Sequence, residues 1–458
     1  MYVTGFIQSS ETLQVEGKDW ERQRRLTAPS FNEKTSSLVW YEAIRQSEDM
    51  AASWLGQAAK GTTEVASDTA TLALHVLTCV GFGLSYPFHA GVRKLPAGHS
   101  MTYRDALSLC LRNIITFALF PKKYLSLSFL PEKLRLLGQA TREFQRYMEE
   151  MLAHERDVTQ KSEGRVSNLM GALVRASDET EQSIEESTPS SHGLSDDEIF
   201  GNIFAFNLAG HETTANTVAA AIVLLAANPE YQIWLAEELQ HIFGQNTDPK
   251  DFSYEEAFPK LQRCMAVMVL SVSNRFLFPF PLRAMAHKAQ YETLRLYGSI
   301  VFIPKTTNLH PQTLSLHNKE YLLPPNTAVN INVQALHTSP KTWAPDPLTW
   351  RPKRWLHQPT AGSPIGTEHF IDPNPGTYIP WAAGPRVCVG RKFSQVEFVA
   401  VMATLFQQNR VRPALRPGQS EEEGRRALMD MVEESAITFI TLQMREPGRV
   451  PLVWEKRP

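Results

Sequence analysis

The segment that most restricts the architecture of this chain begins at Ser195-Asp-Asp-Glu198. That run is a capping box, in which a serine hydroxyl and a glutamate three residues on satisfy the first free amides of a helix. The helix it opens can run for about 30 residues before Asn228-Pro229 stops it. Pro229 then fits the first turn of a second helix, with Asn228 as its cap. From Ile199 to Gly210 the long helix is apolar on nearly every side, so protein has to surround it. A chain of 458 residues can supply that core. Then come His211, Glu212, Thr213 and Thr214 in a row. Buried polar groups cost free energy unless each finds a partner. The run is either a satisfied network or solvated turn, or a reaction site that needs a proton donor deep in the protein.

The rest of the first half also reads as helix. Trp20 to Ala28 carries long straight side chains that favour it. Thr141 to Arg156 places Phe144, Met148, Met151 and Leu152 at helical spacing, with a charged opposite face that predicts a surface helix. Residues 177–195 are rich in Ser, Glu and Asp and read as a solvated loop. Beyond residue 300, prolines and short β-branched runs such as Tyr321 to Val333 predict a minor β region. A last helix is expected over Lys392 to Gln408, and a strand over Ile437 to Gln443. There is no internal repeat.

Lys plus Arg is 46 and Asp plus Glu is 48, a formal charge of −2, without the basic excess of a nucleic-acid binder. The four cysteines, Cys79, Cys110, Cys264 and Cys388, stand far apart. Their spacing excludes zinc motifs and suggests no disulfide framework, which fits a reducing compartment. The longest clean apolar run, Val218 to Ala227, has ten residues where a bilayer needs about 20. No signal peptide is visible, so the chain as written is expected to carry no membrane anchor.

Cys388 lies in the stretch WAAGPRVCVG, Trp381 to Gly390. A lone cysteine is most often a small buried hydrophobe. Its neighbours argue otherwise. Gly384 and Gly390 allow close backbone approach, and Arg386 can bind an anion. A helix that starts just after the cysteine favours a thiolate, and Trp381 offers a flat apolar wall. The set suits a thiolate bound to a flat, dianionic metal cofactor. The segment resembles the haem-binding loop of the cytochrome P-450 family, F-x-x-G-x-R-x-C-x-G, with Trp381 where phenylalanine is usual. Other segments resemble that family's motifs in the family's order. They are Trp20-x-x-x-Arg24, Ala209-Gly-His-Glu-Thr-Thr214, the pair Glu292-x-x-Arg295, and Pro352-Lys-Arg354-Trp355. Taken singly, an E-x-x-R pair is weak, because helices carry it by chance as a surface pair. The phrases WERQRRLTAPSFNEK and GPRVCVGRKFSQVEF look most like filamentous-fungal microsomal members.

The resemblance implies a fold and a function: mainly α with small β sheets, a single domain over residues 1–458, and a haem-thiolate monooxygenase using haem b. Cys388 would be the axial thiolate, which favours O–O cleavage. Gly210 would leave room for O2. Thr213 would hold a distal hydrogen bond, with Glu212 feeding protons to it. Trp20, Arg24 and Arg386 would neutralise the haem propionates, with Lys305 as a further candidate. Glu292, Arg295 and Arg354 would form a buried charged triad. One oxygen atom of O2 would enter a lipophilic small molecule, with electrons from NADPH through an NADPH-cytochrome reductase. Arg391 and Lys392 would either help dock that reductase or simply start a solvated helix. The complete family member would sit on the cytosolic face of the endoplasmic reticulum membrane, and take part in secondary metabolism.

Two departures from the family pattern stand out. Trp20 comes so early that the anchor and the first sheet strands are expected to be missing. Residues 269–290, Val269 to Gln290, interrupt what would otherwise read as one helix, RCMAVM joined to YETLRLYG. The insert carries Phe-Pro-Phe-Pro, which cannot continue a helix. It begins with a GT-encoded valine and ends with a glutamine that CAG can encode, so a retained intron explains it; a surface insertion is the alternative. Two other functional readings stay open: a haem-thiolate peroxygenase or isomerase that needs no reductase, and a non-functional fragment from a faulty gene model.

Overall fold

The computed structural model describes residues 15–57, 60–88, 95–113, 116, 125, 127, 129–161, 168–182, 193–244, 248–268, 292–316, 318–357, 364–437 and 441–457. The insert expected at 269–290 lies outside the described residues. The chain forms two compact units. The first comprises Met1–Met50, Ala70–Glu212 and Lys392–Glu397; the second comprises Ala51–Thr69, Thr213–Arg391 and Phe398–Pro458.

The first unit is helical. It contains α1 (Gly17–Thr27), most of α2 (Glu33–Gly56) and of α3 (Val65–Phe82), α4 (Tyr103–Arg112), α5 (Glu132–Lys161), α6 (Leu169–Gln182) and the first half of α7 (Asp196–Ala227). Its core joins Phe82, Tyr103, Phe144, Met148, Leu152 and Phe204. Phe82 meets Tyr103, and Phe144 meets Phe204, edge to face at 5.5 and 5.9 Å, the geometry aromatic quadrupoles prefer. The helix expected over 141–156 is the middle of α5, and Phe144, Met148 and Leu152 are its buried face. Of the loop expected from residue 177, residues 183–192 lie outside the described residues, and residues 177–182 are instead helix, because α6 continues through Gln182. Asn168 Oδ1 caps its first turn by accepting from the Gly171 amide at 2.7 Å, and Met170, Leu173 and Val174 anchor it. Once nucleated, extension through the glutamate-rich end is cheap.

The capping box of α7 forms as read. Glu198 N donates to Ser195 Oγ at 3.2 Å, and Ser195 N to Glu198 Oε2 at 3.0 Å. The same carboxylate takes Gln23 Nε2 at 3.1 Å and a two-pronged bond from Arg22, so it also fixes α1. At the far end Asn228 does not cap the next helix. Its Nδ2 turns back to the Leu224 carbonyl at 2.8 Å, an acceptor that the Asn228 amide already meets at 3.0 Å.

The second unit adds α8 (Pro229–Phe243), α9 (Tyr254–Ala257), α10 (Gln262–Met268), α11 (Glu292–Tyr297), α12 (Val333–His337), α13 (Pro340–Trp343), α14 (Arg391–Gln407) and α15 (Glu421–Glu433). Residues 392–397 of α14 belong to the first unit. Its strands are β1 (Phe302–Thr306), β2 (Gln312–Leu316), β3 (Lys319–Leu323), β4 (Ala328–Asn332), β5 (Leu356–His357), β6 (His369–Phe370), β7 (Asn409–Pro413), β8 (Ser435–Ile437), β9 (Leu442–Met444) and β10 (Leu452–Lys456). They pair antiparallel as β1–β4, β2–β3, β5–β6, β7–β10 and β8–β9. The run Tyr321 to Val333 is thus two strands, parted by a turn at Asn326, whose φ is +56°. The tail read as one strand is instead the hairpin β8–β9, since Ile437 pairs with Leu442. Among the described residues α3 alone is long and apolar enough to cross a membrane as one straight helix, and 67% of that window is buried in the protein. As a pair α7 and α8 would also pass, but they bend by 109° at their junction.

Two buried charge clusters organise this unit. Arg263 of α10 bonds Glu368 and Glu237 and the Trp234 carbonyl, while Glu238 accepts the Arg263 and Cys264 amides at 2.6 and 3.0 Å. That carboxylate caps the start of α10. The other cluster centres on Glu292. Glu292 and Arg295 are both 0% exposed and bond through two parallel contacts of 3.0 and 2.8 Å. Glu292 also accepts from Arg354 Nε at 2.9 Å, Trp355 Nε1 at 2.8 Å and the Arg351 amide at 2.8 Å. Burial holds the Arg354 guanidinium below its usual range, against the pull of Glu292. Arg295 spends its remaining donors on the carbonyls of His337, Pro347 and Thr349, and lies over the Trp343 ring at 5.2 Å.

His337, buried beside Arg295, accepts the Ile379 amide at Nε2 at 2.9 Å. Burial first, and then the Arg295 charge, push its pKa from 6.5 down to about 3. An unfolded chain takes up this proton near pH 6.5 and the folded chain near 3. Between those values the unfolded state binds more protons. The stability contributed by neutral His337 is therefore full above about pH 6.5 and is lost as the pH falls toward 3.

Two outcomes follow from these clusters. Glu292→Gln leaves two buried guanidinium groups without their anion, and should lower unfolding stability by about 3–5 kcal/mol, read from urea denaturation. On going from about pH 7 to about pH 5, His337→Gln should lose about 2 kcal/mol less stability than the unaltered chain. An equal acid loss in both would refute the assignment of that proton.

Candidate active site

The cysteine loop leaves Tyr378 and Ile379 and returns into α14. Three backbone bonds fold it: Ala382 N to Ile379 O at 3.0 Å, Val387 N to Gly384 O at 3.1 Å, and Cys388 N to Trp381 O at 3.0 Å. Gly384 sits at φ +79°, where a side chain would be strained, and nothing lies within 4 Å of the place its Cβ would occupy. Ala382, at φ +61°, takes the same left-handed conformation without being glycine; the sequence carries no signal for that. Gly390 is the residue before α14, with φ −79°, a value any residue adopts.

Of the four free cysteines, Cys388 is the exposed one. Cys110 and Cys264 are buried and Cys79 is half-buried. Burial, reinforced by Glu42, pushes the Cys79 thiol up to about 12, and burial raises that of Cys264 well above its usual range. Those two are held as inert thiols. Cys388 instead lies just ahead of the first turn of a 17-residue helix, where exposed amides favour an anion. Among the described residues no three His, Cys, Asp or Glu side chains cluster as a chelate. A single thiolate donor fits a metal already embedded in an organic ring.

The long helix α7 is not buried all round as expected. Ile199 and residues 201–205 are buried, and so are 217–227, but 208 and 210–213 are only half-buried and Ala209 is exposed. The helix opens where His211, Glu212 and Thr213 stand, so these groups escape the full cost of burial. His211 Nδ1 bonds the Asn207 carbonyl at 2.9 Å. The Thr213 carbonyl accepts Thr217 Oγ1 at 2.8 Å and Ser299 Oγ at 3.2 Å. Ser299 was not singled out by its sequence, yet it joins the end of α11 to α7, and its own carbonyl takes the Leu442 amide at 2.9 Å. The room expected beside Gly210 is already used: a Cβ there would meet Leu77 Cδ2 at 3.3 Å. The glycine lets α3 pack closely.

Trp20 and Arg24 stand one turn apart on α1 in the first unit, both half-buried, and Glu212 belongs to the same unit. Thr213, Lys305, Trp381, Gly384, Arg386, Cys388 and Gly390 belong to the second unit, as does the Glu292–Arg295–Arg354 cluster. Arg386 and Lys305 are exposed, and Lys305 lies on β1 opposite Val329. Lys392 reaches Glu33 at 3.4 Å. A cavity of about 530 Å³ beside Glu149, Leu152, Arg156, Asp196 and Phe200 contains none of these residues.

Comparison with known proteins places these features in a family. The family model described as Cytochrome P450 matches residues 4–262 and 285–432. A cytochrome P450 monooxygenase of Arthrobotrys oligospora is 28% identical over 97% of this chain and 76% of its own. Cytochrome P450 monooxygenase 124 of Postia placenta is 31% identical over 98% of this chain and 77% of its own. A crystal structure of a cytochrome P450 superposes with a TM-score of 0.66 at 18% identity, covering 99% of this chain and 81% of that one. The matched residues include the exposed cysteine, the helix that opens at Thr213 and the buried Glu292 cluster. With that match, and with the mainly helical fold that it shares with a solved cytochrome P450 structure, the chain belongs to the cytochrome P450 family, whose members are haem-iron monooxygenases.

Proposed function

We propose that this chain is a haem b monooxygenase that puts one oxygen atom of O2 into a lipophilic small molecule and releases the other as water. The observation that carries the reading is Cys388: the exposed cysteine of the four, presented by a loop that closes on itself just ahead of a helix. Haem bound by a thiolate supplies O–O cleavage chemistry. The protein's part is to bind, orient and deliver protons. Cys388 holds the iron through its sulfur. Arg386, Arg24 and Trp20, with Lys305 as a further cation, neutralise the propionates. Trp381 would offer an apolar wall to the cofactor, and Gly384 and Gly390 would allow the backbone of the loop to approach it closely. Thr213 holds a hydrogen bond through its hydroxyl, while its carbonyl is already engaged by Thr217 and Ser299. Glu212 hands it protons from the opened face of α7. Glu292, Arg295 and Arg354 serve structure.

The electrons come from NADPH through a reductase at the endoplasmic reticulum membrane, on its cytosolic face. Lys392, which reaches Glu33, and Arg391 are the cations offered for docking it. We propose further that one domain underlies residues 1–458, with the oxygen-activation helix at 196–227 and the haem-thiolate loop at 381–390, and that 269–290 is foreign to it. The family match breaks off at 263–284, a gap of the same length as that insert. The flanks of the insert, α10 and α11, are buried almost throughout. Sequencing the transcript tests this: codons for Met268 and Tyr291 that adjoin would make the insert a retained intron.

Two measurements test the function. Cys388→Ala should abolish the thiolate-type band of the reduced carbon monoxide complex, and a retained band would sink the ligand assignment. Thr213→Ala should leave that band in place and lower product formed per NADPH consumed by about 10²-fold, the low end for a lost proton-delivery group. Turnover with peroxide and no reductase, insensitive to Thr213→Ala, would support a peroxygenase instead.

A further inference from the structure

The roles above leave one buried polar side chain next to the cysteine loop unused. His337, the last residue of α12, is 1% exposed. Its Nε2 accepts the Ile379 amide, so the ring proton sits on Nδ1, and the ring's other hydrogen bond goes to the Leu294 carbonyl. The ring stacks on Tyr378, with centroids 4.5 Å apart and planes 28° apart. Tyr378 is in turn packed by Trp343 and Trp355. The His337 carbonyl accepts Arg295 Nη1 at 2.9 Å. One residue therefore touches α11 twice, at Leu294 and Arg295, and the approach to the loop twice, at Tyr378 and Ile379.

The loop's internal bonds close it on itself. Ile379 O takes the Ala382 amide, and Trp381 O takes the Cys388 amide. They set the shape of the loop, but its aim depends on what holds Tyr378 and Ile379. Residues 383–386 and Cys388 are exposed, whereas Tyr378 is buried.

We propose that His337 is a positioning residue for Cys388. By accepting the Ile379 amide it fixes the base of the loop against the Glu292–Arg295 helix, and so sets the direction in which the sulfur is offered to haem iron. The proposal rests on the reading of Cys388 as the thiolate ligand. It requires the ring to be a neutral acceptor. A protonated ring would set two donors against each other at Ile379.

The test uses the haem-loaded full chain and two substitutions with opposite losses. His337→Phe keeps a ring on Tyr378 and removes the acceptor. His337→Gln removes the ring and offers a carbonyl oxygen near the position of Nε2. If the hydrogen bond aims the loop, Phe shifts the reduced carbon monoxide spectrum from the thiolate-type toward the neutral-thiol-type band, changing their ratio by roughly tenfold, the equivalent of one buried hydrogen bond. Gln keeps most of the thiolate-type band. Amide hydrogen exchange supplies a second readout: Ile379 should exchange slowly in the unaltered chain and fast in the Phe variant. The proposal is overturned if Phe leaves the band ratio unchanged, if Gln is the more damaged variant, or if Ile379 exchanges fast in the unaltered chain. That last measurement decides the matter even where both variants fail to fold. An unaltered chain with no thiolate-type band would overturn the reading of Cys388, and this proposal with it; a normal band with an unaffected Phe variant overturns this proposal alone.

Discussion

The second unit depends on one carboxylate that cannot be left alone. Glu292 is fully buried and meets five donors: two from Arg295, one each from Arg354 and Trp355, and the Arg351 amide. Two guanidinium groups share one anion, so the cluster carries a net positive charge that only further acceptors can offset. Carbonyls supply them: those of His337, Pro347 and Thr349 to Arg295, and those of Asp346 and Thr349 to Arg354. The irregular segment 345–355 is therefore held in place by its own backbone, which the arginines gather. Replacing such a cluster by apolar groups often costs nothing in stability, whereas breaking it is expensive. Its value lies in excluding other arrangements of the segment, and it is next to this fixed body that His337 and Tyr378 start the cysteine loop.

What the sequence made legible is what short-range chemistry determines. The capping box at Ser195 forms as read because both its partners lie within one turn. The cysteine loop could be picked out because its glycines, arginine and cysteine lie within ten residues. Glu292 and Arg295, three apart on a helix, were legible as a pair, but not the Trp355, Thr349 and Pro347 groups that complete it. The failures share a cause. Asn228 looks like a cap for α8, yet its side chain turns back to the Leu224 carbonyl of α7, which its own backbone amide also meets. Gly210 looks like room for a ligand, yet Leu77, far off in sequence, fills that side. His337 gave no signal at all, since its partners at 294, 295 and 379 come together only in the fold.

The long helix shows why composition alone misjudges a site. Leu208, Ala209 and Gly210 are as apolar as the buried residues before them, and periodicity treats them alike. The structure leaves Ala209 exposed and Leu208 and Gly210 half-buried, and the alanine and glycine present little apolar surface to what lies outside. Glu212 and Thr213 can then be polar at modest cost, because they stand at the edge of the opening.

Rigidity and exposure are thus separated along the chain. The cysteine loop is exposed at 383–386 and 388 and carries a non-glycine residue, Ala382, in a left-handed conformation that costs about 1 kcal/mol. A loop in that condition keeps one shape only if its ends are held by something stiffer than itself. One end is Tyr378 and Ile379, clamped by a buried neutral histidine. The other runs into α14, buried from Gln395 to Gln407 except at Thr404. His337 and Tyr378 at the first of these ends are closed to water, and burial together with the Arg295 charge keeps the imidazole neutral at ordinary pH, so that it can go on accepting the Ile379 amide.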